Sequence, residues 1–368
     1  MKNLRKIVLF TIVFAALLPF QIHADEFSDN STTFKARVIE ILNTKEKSRE
    51  DGSIYTQQDL KLLALDGELK DQEIIYQGIA DLDVMNANYY DIGDKVYIDS
   101  FVDELGVSTF YVVDFVRTGY IYLLSIIFIL IVFLIGRFKG LKALLGLVFS
   151  FFVIIEFILP QILAGHDPFI ISLVGGLGIL GVIIYLTEGF NRKSHLAILS
   201  VLFSLMVTLV LSVIFTKLTK LSGMSQEEAT FLIGASKTAI NFKGLLLAGF
   251  IIGATGVLDD IVVGQIEAVE SIREANPSLS TKKVFALAYR VGNTHLGAII
   301  NTLFLTYAGA SLPLLLLFVL NQSTGLTFDR AINTEAISTE IIRTLVGSIG
   351  VMLSMPIATF LASIKRKN

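Results

Sequence analysis

The chain has 368 residues, of which 53% are hydrophobic and only 17% are charged, and its formal net charge is −3. A soluble globular protein has about 25% charged residues, so this composition is typical of a chain with much of its surface facing lipid. The negative net charge excludes a nucleic-acid binder that relies on a global positive field. The absence of cysteine excludes disulfides, thiolate metal ligands and cysteine nucleophiles.

The N-terminus has the organisation of a secretory signal. A basic start precedes a short apolar segment, Ile7–Phe20, and a small residue, Ala24, precedes the acidic Asp25. The apolar segment is too short for a comfortable membrane span. Residues 1–24 are therefore predicted to be a signal peptide, with an uncleaved signal anchor as the alternative. Either form exports the segment that follows.

Residues 25–116 are polar and alternate in the manner of β-strands. Alternation at period two predicts strands in Phe34–Leu42, Gln57–Leu65, Glu73–Tyr76, Lys95–Asp99 and Phe110–Val116. Asp66-Gly67 between two of these segments indicates a hairpin. Short strands separated by turns over about 90 residues favour a small all-β domain, an OB-like barrel. No catalytic constellation is evident in this extracytoplasmic domain.

Long apolar segments dominate residues 117–368. A span needs about 20 residues. The hydropathy pattern predicts an α-helical polytopic membrane domain of about seven transmembrane helices: Thr118–Gly136, Leu141–Leu163, Phe169–Thr187, Leu196–Thr216, Gly244–Leu258, Leu296–Leu320 and Ile341–Ile364.

Basic residues in short loops predict the orientation. With the β domain outside the cell membrane, three basic clusters fall on the cytoplasmic side: Arg137 to Lys142, Arg192-Lys193 and Lys365-Arg366-Lys367. The loop 217–243, placed outside, contains four lysines and departs from this pattern. Segment 284–320 is long enough to cross once or twice, and only one crossing keeps the C-terminus cytoplasmic. Residues 259–295 are then a cytoplasmic or interfacial helical segment.

Polar and small residues concentrate between 249 and 301. Gly249 and Gly253 form a GxxxG pair, which favours close helix packing, with backbone approach to a solute as the alternative. Asp259 and Asp260 follow, and their side chains point about 100° apart on a helix. One of them could face a polar pathway, while a solvated or helix-ending role is the other interpretation. The nearby residues do not have a specific metal-ligand spacing, and neither a metal nor a cofactor is expected.

An amphipathic helix follows, with glutamates on one side and Leu258, Val262, Ile266 and Val269 on the other. Asn276-Pro277 is predicted to end this helix, and Ser280 to cap the next one.

In the next helix a polar and small stripe shares one sector: Arg290, Asn293, Thr294, Gly297, Ala298 and Asn301. His295 falls on a different face. Hydrogen bonding between helices is one interpretation of the stripe. The other is a lining that meets Asp259 or Asp260, with an Arg–Asp contact placing both charges near lipid.

Glu156 lies inside the second predicted span, four residues before Pro160. Proline cannot donate to the carbonyl of Glu156, so the helix is predicted to kink beside the carboxylate. A proton or cation site is one hypothesis for this acid, and a harmless position near the outer boundary is the other.

Two segments of the chain resemble the YibE/F-like membrane proteins: GVLDDIVVGQIEAVESIREANPSLS, and RVGNTHLGAIINTLFLTYAGASLPLLLLF, which begins at Arg290. The resemblance covers roughly residues 120–365, and the exported domain is similar to that of the YibE type. Members commonly have Arg-Asp-His-Ile where this chain has Asn293-Thr294-His295-Leu296, without the acid. The resemblance implies a polytopic membrane location and no particular activity.

The expected function is that of a permease, or a permease subunit, for a small solute or ion. The alternative is a membrane scaffold or assembly factor that binds partners through its exported β domain. The four histidines are too far apart to assemble an enzyme site, so no enzymatic activity is expected. The expected partners are the lipid bilayer and a second membrane subunit of the same family, and no nucleic acid.

Overall fold

The computed structural model describes residues 31–48, 52, 54–79, 89–102, 108–225, 227–235, 239–321 and 327–364. The predicted signal peptide, residues 1–24, and the C-terminal Lys365-Arg366-Lys367 lie outside the described residues. The described chain forms two compact units, one ending at Ile131 and the other beginning at Val132.

The first unit is built on an antiparallel five-stranded half-barrel sheet. Its strands are β1 Ser31–Ser48, β2 Ile54–Ala64, β3 Glu73–Gln77, β4 Lys95–Val102 and β5 Ser108–Phe115. They lie in the order β3-β2-β1-β4-β5, and β3 also contacts β5 across the open side. All five predicted strands are confirmed. The hairpin at Asp66-Gly67 is also confirmed, because β2 pairs with β3 and Gly67 has φ 78°.

Alternating inward side chains fill the core of the half-barrel. They include Phe34, Val38, Leu60, Leu62, Tyr76, Val96 and Ile98. Gln58 is buried and holds the backbone of Tyr90, accepting from its N–H at 2.7 Å and donating to its carbonyl at 3.2 Å. After β5, Arg117 donates to Asp114 at 2.7 Å, and this hydrogen bond lowers the pKa of Asp114.

The remaining elements are helical. The helices are α1 Thr118–Val153, α2 Leu159–Leu163, α3 Pro168–Glu188, α4 Arg192–Leu218, α5 Glu227–Ala235, α6 Phe242–Ala275, α7 Thr281–Ala310, α8 Leu312–Asn321, α9 Phe328–Ile332 and α10 Glu335–Ser363, with a π turn, Ile154–Ile158, between α1 and α2. The breaks predicted around Asn276-Pro277 are confirmed, since α6 ends at Ala275 and Ser280 caps α7 by accepting from the N–H of Lys283.

Within the described residues, five helices are long and apolar enough to cross a membrane: Thr118–Leu163, Pro168–Glu188, Arg192–Leu218, Phe242–Ala275 and Glu335–Ser363. The predicted number of seven spans is not confirmed. The first candidate has 46 residues and contains a non-helical residue, Arg137 (φ 47°, ψ −131°), at the boundary between two predicted spans. The predicted span Leu296–Leu320 instead divides between α7, which already begins at Thr281, and α8.

Helix α6 is the centre of the second unit, because α3, α4, α7 and α10 all pack against it. Small residues bring these helices close together, as where Gly176 of α3 lies against Thr255 of α6. The apolar face predicted for α6 is buried, with Leu258, Val262 and Val269 each 0% exposed. The interior of the unit is therefore organised around the helix that also contains Asp259 and Asp260.

Candidate functional site

Asp259 and Asp260 both lie inside α6, which continues through them to Ala275. The helix-ending interpretation of these residues is therefore wrong. Asp259 is partly buried, and among the described residues its Oδ1 has no hydrogen-bond partner. Asp260 is exposed on another side of the helix. The two carboxylates thus occupy different surroundings, as their 100° separation predicts.

Asp260 lines a cleft of about 540 Å³ between α6 and α7, and Met355 of α10 also belongs to the lining. The polar side chains that line the cleft are Asp260, Gln265, Glu267, Ser271 and His295. A concave site of this size with a few convergent polar groups is typical of small-molecule binding. Asp259 is not part of the lining.

Gln265 and Gly292 form the floor of the cleft. Gln265 is 5% exposed, and its Nε2 donates to the carbonyl of Ala288 at 2.8 Å. A Cβ at Gly292 would overlap Gln265 Oε1 and come within 2.8 Å of Met355 Cγ. The glycine therefore lets α6, α7 and α10 meet at this point, and it leaves Gln265 Oε1 uncovered by any side chain from residue 292.

Sequence reasoning missed both of these residues. Gln265 stands beside Ile266 within the apolar, inward-facing part of α6, and a lone polar residue in such a position is the signal that could have identified it. Gly292 interrupts a helix interior, where glycine is unfavourable and therefore calls for a packing explanation.

The predicted stripe on α7 does not reach the cleft. Its six residues, Arg290, Asn293, Thr294, Gly297, Ala298 and Asn301, are all exposed. None of them lines the cleft, and within the described part of the chain Arg290 makes no ion pair. Within the described residues, no ion pair joins Arg290 to Asp259 or Asp260, and the cluster of these residues with Asn293 and Asn301 stays a prediction. The polar side chain of α7 that does share the cleft with Asp260 is that of His295, on the other face.

Glu156 lies apart from the cleft as well. It is exposed on the π turn, where the N–H of Leu159 donates to the carbonyl of Ile154. This wider turn is how the helix accommodates Pro160. The kink predicted beside Glu156 stays a prediction. The carboxylate does not belong to the lining of the cleft.

The two glycines of the GxxxG pair, Gly249 and Gly253, have different surroundings. Gly253 lies against α7, where an added Cβ would come within 2.9 Å of Tyr307 Oη, whereas Gly249 is exposed with no atom that close. Close helix packing is therefore observed at Gly253 alone.

The cleft lies near one end of the second unit, where several contacts fasten the helices together. Lys193 at the start of α4 pairs with Glu267 at 3.0 Å, and Arg192 donates to the carbonyl of Ile364 at 2.9 Å. Arg273 donates to the carbonyl of Ser363 at the end of α10. Of the acidic side chains in the lining, Glu267 therefore has a cationic partner.

The described residues contain no group of three or more histidine, aspartate or glutamate side chains arranged to hold a metal ion. What the cleft offers is the carboxylate of Asp260, a second carboxylate that is paired with Lys193, a hydroxyl, an amide and an imidazole beside apolar walls. Such an arrangement can bind a small solute by charge and hydrogen bonding.

Comparison with known proteins gives one match. The model of the YibE/F-like protein family matches residues 124–368, a segment that contains all the helices of the cleft. No curated protein and no solved structure was found to match. The match and the five apolar helices identify a membrane protein, and the chain belongs to the YibE/F-like family.

Proposed function

We propose that the chain is a permease, or a permease subunit, for a small solute or ion. The observation that supports this function best is the cleft beside Asp260, which places a carboxylate of a candidate membrane-spanning helix on an open cavity of about 540 Å³. At the membrane boundary, just past the predicted span Gly244–Leu258, a carboxylate that faces a cavity calls for a function or a partner. Substrate binding is such a function.

The proposal keeps the orientation expected from the sequence, with the β domain outside the cell membrane and the C-terminus in the cytoplasm. It involves no catalytic step. Glu156 and the α7 stripe are exposed, and they form the surface on which a second membrane subunit of the same family is expected to pack.

The test is flux into liposomes that contain the purified chain, screened over ions and small solutes. We expect flux above that of empty vesicles for at least one solute, and we expect Asp260→Asn to lower it at least about tenfold, the effect of losing about 1.4 kcal/mol of binding. Glu274→Gln is the matched control, because Glu274 is an exposed acid on the same helix outside the cleft lining. Flux equal to that of empty vesicles across the screen would rule out transport by this chain alone.

A scaffold function is the second candidate, and one feature of the half-barrel favours it. Phe101, Tyr111 and Val113 are 42%, 40% and 55% exposed on β4 and β5, and the two rings contact each other edge to face at 5.7 Å. Exposed apolar patches mark interaction sites. A photo-crosslinking residue at Tyr111 would form a discrete adduct in cells under this hypothesis, while the same residue at Glu68, on the β2–β3 turn, would not.

A further inference from the structure

The charge of the cleft comes from Asp260. Glu267 also lines the cleft, but Lys193 pairs with it at 3.0 Å. Within the described part of the chain, Asp260 has neither an ion pair nor a hydrogen bond from a side chain. An uncompensated carboxylate at an apolar cavity favours a cationic ligand, because a neutral or anionic ligand would leave the charge desolvated and unpaired.

The floor of the cleft adds a hydrogen-bond acceptor. Gln265 is 5% exposed and uses its Nε2 to reach Ala288, which fixes the orientation of the amide. Its Oε1 lies against Gly292, a residue of the cleft lining, and no described residue donates to it. As an amide oxygen, Oε1 is a hydrogen-bond acceptor with two lone pairs. A ligand with an N–H group at this position would satisfy it.

The walls of the cleft are apolar, formed by side chains from three helices: Ile261, Val291, Leu296, Ile299 and Met355. Ca²⁺ and Mg²⁺ take about six or more oxygen ligands at short distance, which apolar walls do not supply. The volume of about 540 Å³ instead falls in the range of small-molecule pockets, roughly 300–1,000 Å³. The flexible side chain of Met355 in this lining can adapt to the shape of a ligand.

We propose that the cleft binds a small organic ammonium compound. Its N–H groups donate to the Asp260 carboxylate and to Gln265 Oε1, and its apolar part packs against Leu296, Ile299 and Met355. This inference rests on the proposed function, because it names the class of solute that the permease would recognise. The ammonium group belongs either to a free solute or to an aminophospholipid headgroup, and the experiment separates these sources.

The experiment measures protection of a thiol. The native chain contains no cysteine, so Ser271→Cys places a unique thiol in the lining of the cleft. The full chain is reconstituted in phosphatidylglycerol nanodiscs, and the rate of maleimide labelling is measured with benzylammonium, benzyl alcohol or benzoate. At ten times its dissociation constant a ligand in the cleft slows labelling about tenfold. We expect that slowing with benzylammonium only, and equal rates with all three compounds would overturn the inference.

Two variants and a second thiol locate the effect. Asp260→Asn in the Ser271→Cys background should abolish protection by benzylammonium, whereas Asp259→Asn should preserve it, since Asp259 is the adjacent acid outside the lining. A thiol at Ser278, in the turn between α6 and α7, should label at the same rate with and without ligand. Equal loss of protection in the two aspartate variants would contradict a site at Asp260.

Nanodiscs that contain phosphatidylethanolamine separate the two sources of the ammonium group. Slow labelling of Ser271→Cys in these discs without added benzylammonium assigns the group to the lipid headgroup, and unchanged labelling assigns it to a free solute.

The outcome also separates this inference from the proposed function. Protection without flux would support the ammonium site and oppose transport. Flux that is sensitive to Asp260→Asn, without protection by benzylammonium, would support transport and overturn the ammonium class.

Discussion

Gly292 determines how closely three helices approach beneath the cleft. The residue is buried on α7, and the space that a side chain would need is occupied by Gln265 of α6 and Met355 of α10. Gly297 lies five residues further along α7, is exposed, and has no atom within 4 Å of an added Cβ. The same substitution at these two glycines therefore has opposite expected effects.

Gly292→Ala should destabilise the chain by about 1–3 kcal/mol, because an added methyl in a filled interior forces neighbours to move. Gly297→Ala should be neutral or stabilising by up to about 1 kcal/mol, since alanine favours the helix. Thermal unfolding of the detergent-solubilised chain measures both. The double variant Gly292→Ala with Gln265→Ala should recover part of the loss, and equal melting temperatures for the two single variants would contradict the geometry.

The packing of helix α4 against helix α10 also depends on small residues, here along the whole length of one helix face. Ser200, Ser204, Thr208 and Ser212 recur every four residues on α4, and each donates to the carbonyl four residues earlier at 2.7–2.9 Å. Their hydroxyls are thus satisfied inside their own helix. The small side chains on this face let α10 approach closely, and Gly350 of α10 lies directly against Thr208. In a membrane, where lipid is as apolar as leucine, such close approach drives helix association.

Thr208→Leu should therefore destabilise the packing of α4 against α10 by about 1–3 kcal/mol, because the larger side chain has no room beside Gly350. Thr208→Val should cost about 0.5–1.5 kcal/mol, because it keeps the branched shape and removes only the hydrogen bond from the Thr208 hydroxyl to the carbonyl of Ser204. Thermal unfolding in detergent compares the two variants. Similar losses would show that the hydroxyl, and not the volume, matters at this position.

In the second unit as a whole, side-chain contacts show which helix termini lie together at each end of the helical bundle. Glu267 near the end of α6 meets Lys193 at the start of α4, while Glu335 at the start of α10 accepts from the N–H groups of Ser222 and Gly223 after α4. The chain between α6 and α10 must therefore traverse the bundle an odd number of times. Helix α7, with 30 residues, is long enough to do so once.

Single cysteines at positions 227, 267 and 330 test this arrangement in the membrane. We expect the thiol at 267 to label only from the cytoplasmic side and those at 227 and 330 only from outside, since the helices between them cross once. An impermeant maleimide applied to intact cells and to inverted vesicles measures the sides. Labelling of 267 from outside would reverse the orientation, and labelling of 267 and 330 from one side would contradict the single crossing.

The sequence predicted the strands and several helix ends, but neither the number of spans nor the surroundings of the candidate residues. Alternation identified all five strands, and Ser280 and Asn276-Pro277 marked helix ends, because caps and periodicities depend on neighbouring residues alone. Arg290, Asn293 and Asn301 were correctly placed on one face of α7, but periodicity does not say what that face meets. The structure leaves this face exposed.

Hydropathy and alternation are enough to identify a membrane protein with a β domain, because both are local properties summed along the chain. The cleft, in contrast, forms only when the helices pack in the tertiary structure. Asp260, Gln265, Gly292 and His295 lie on two helices, with Met355 on a third, and their meeting depends on how the small residues of α6, α7 and α10 let the helices pack. The lining of the cleft includes residues 95 positions apart in the sequence, Asp260 and Met355, and no pattern within one helix reveals that they share it.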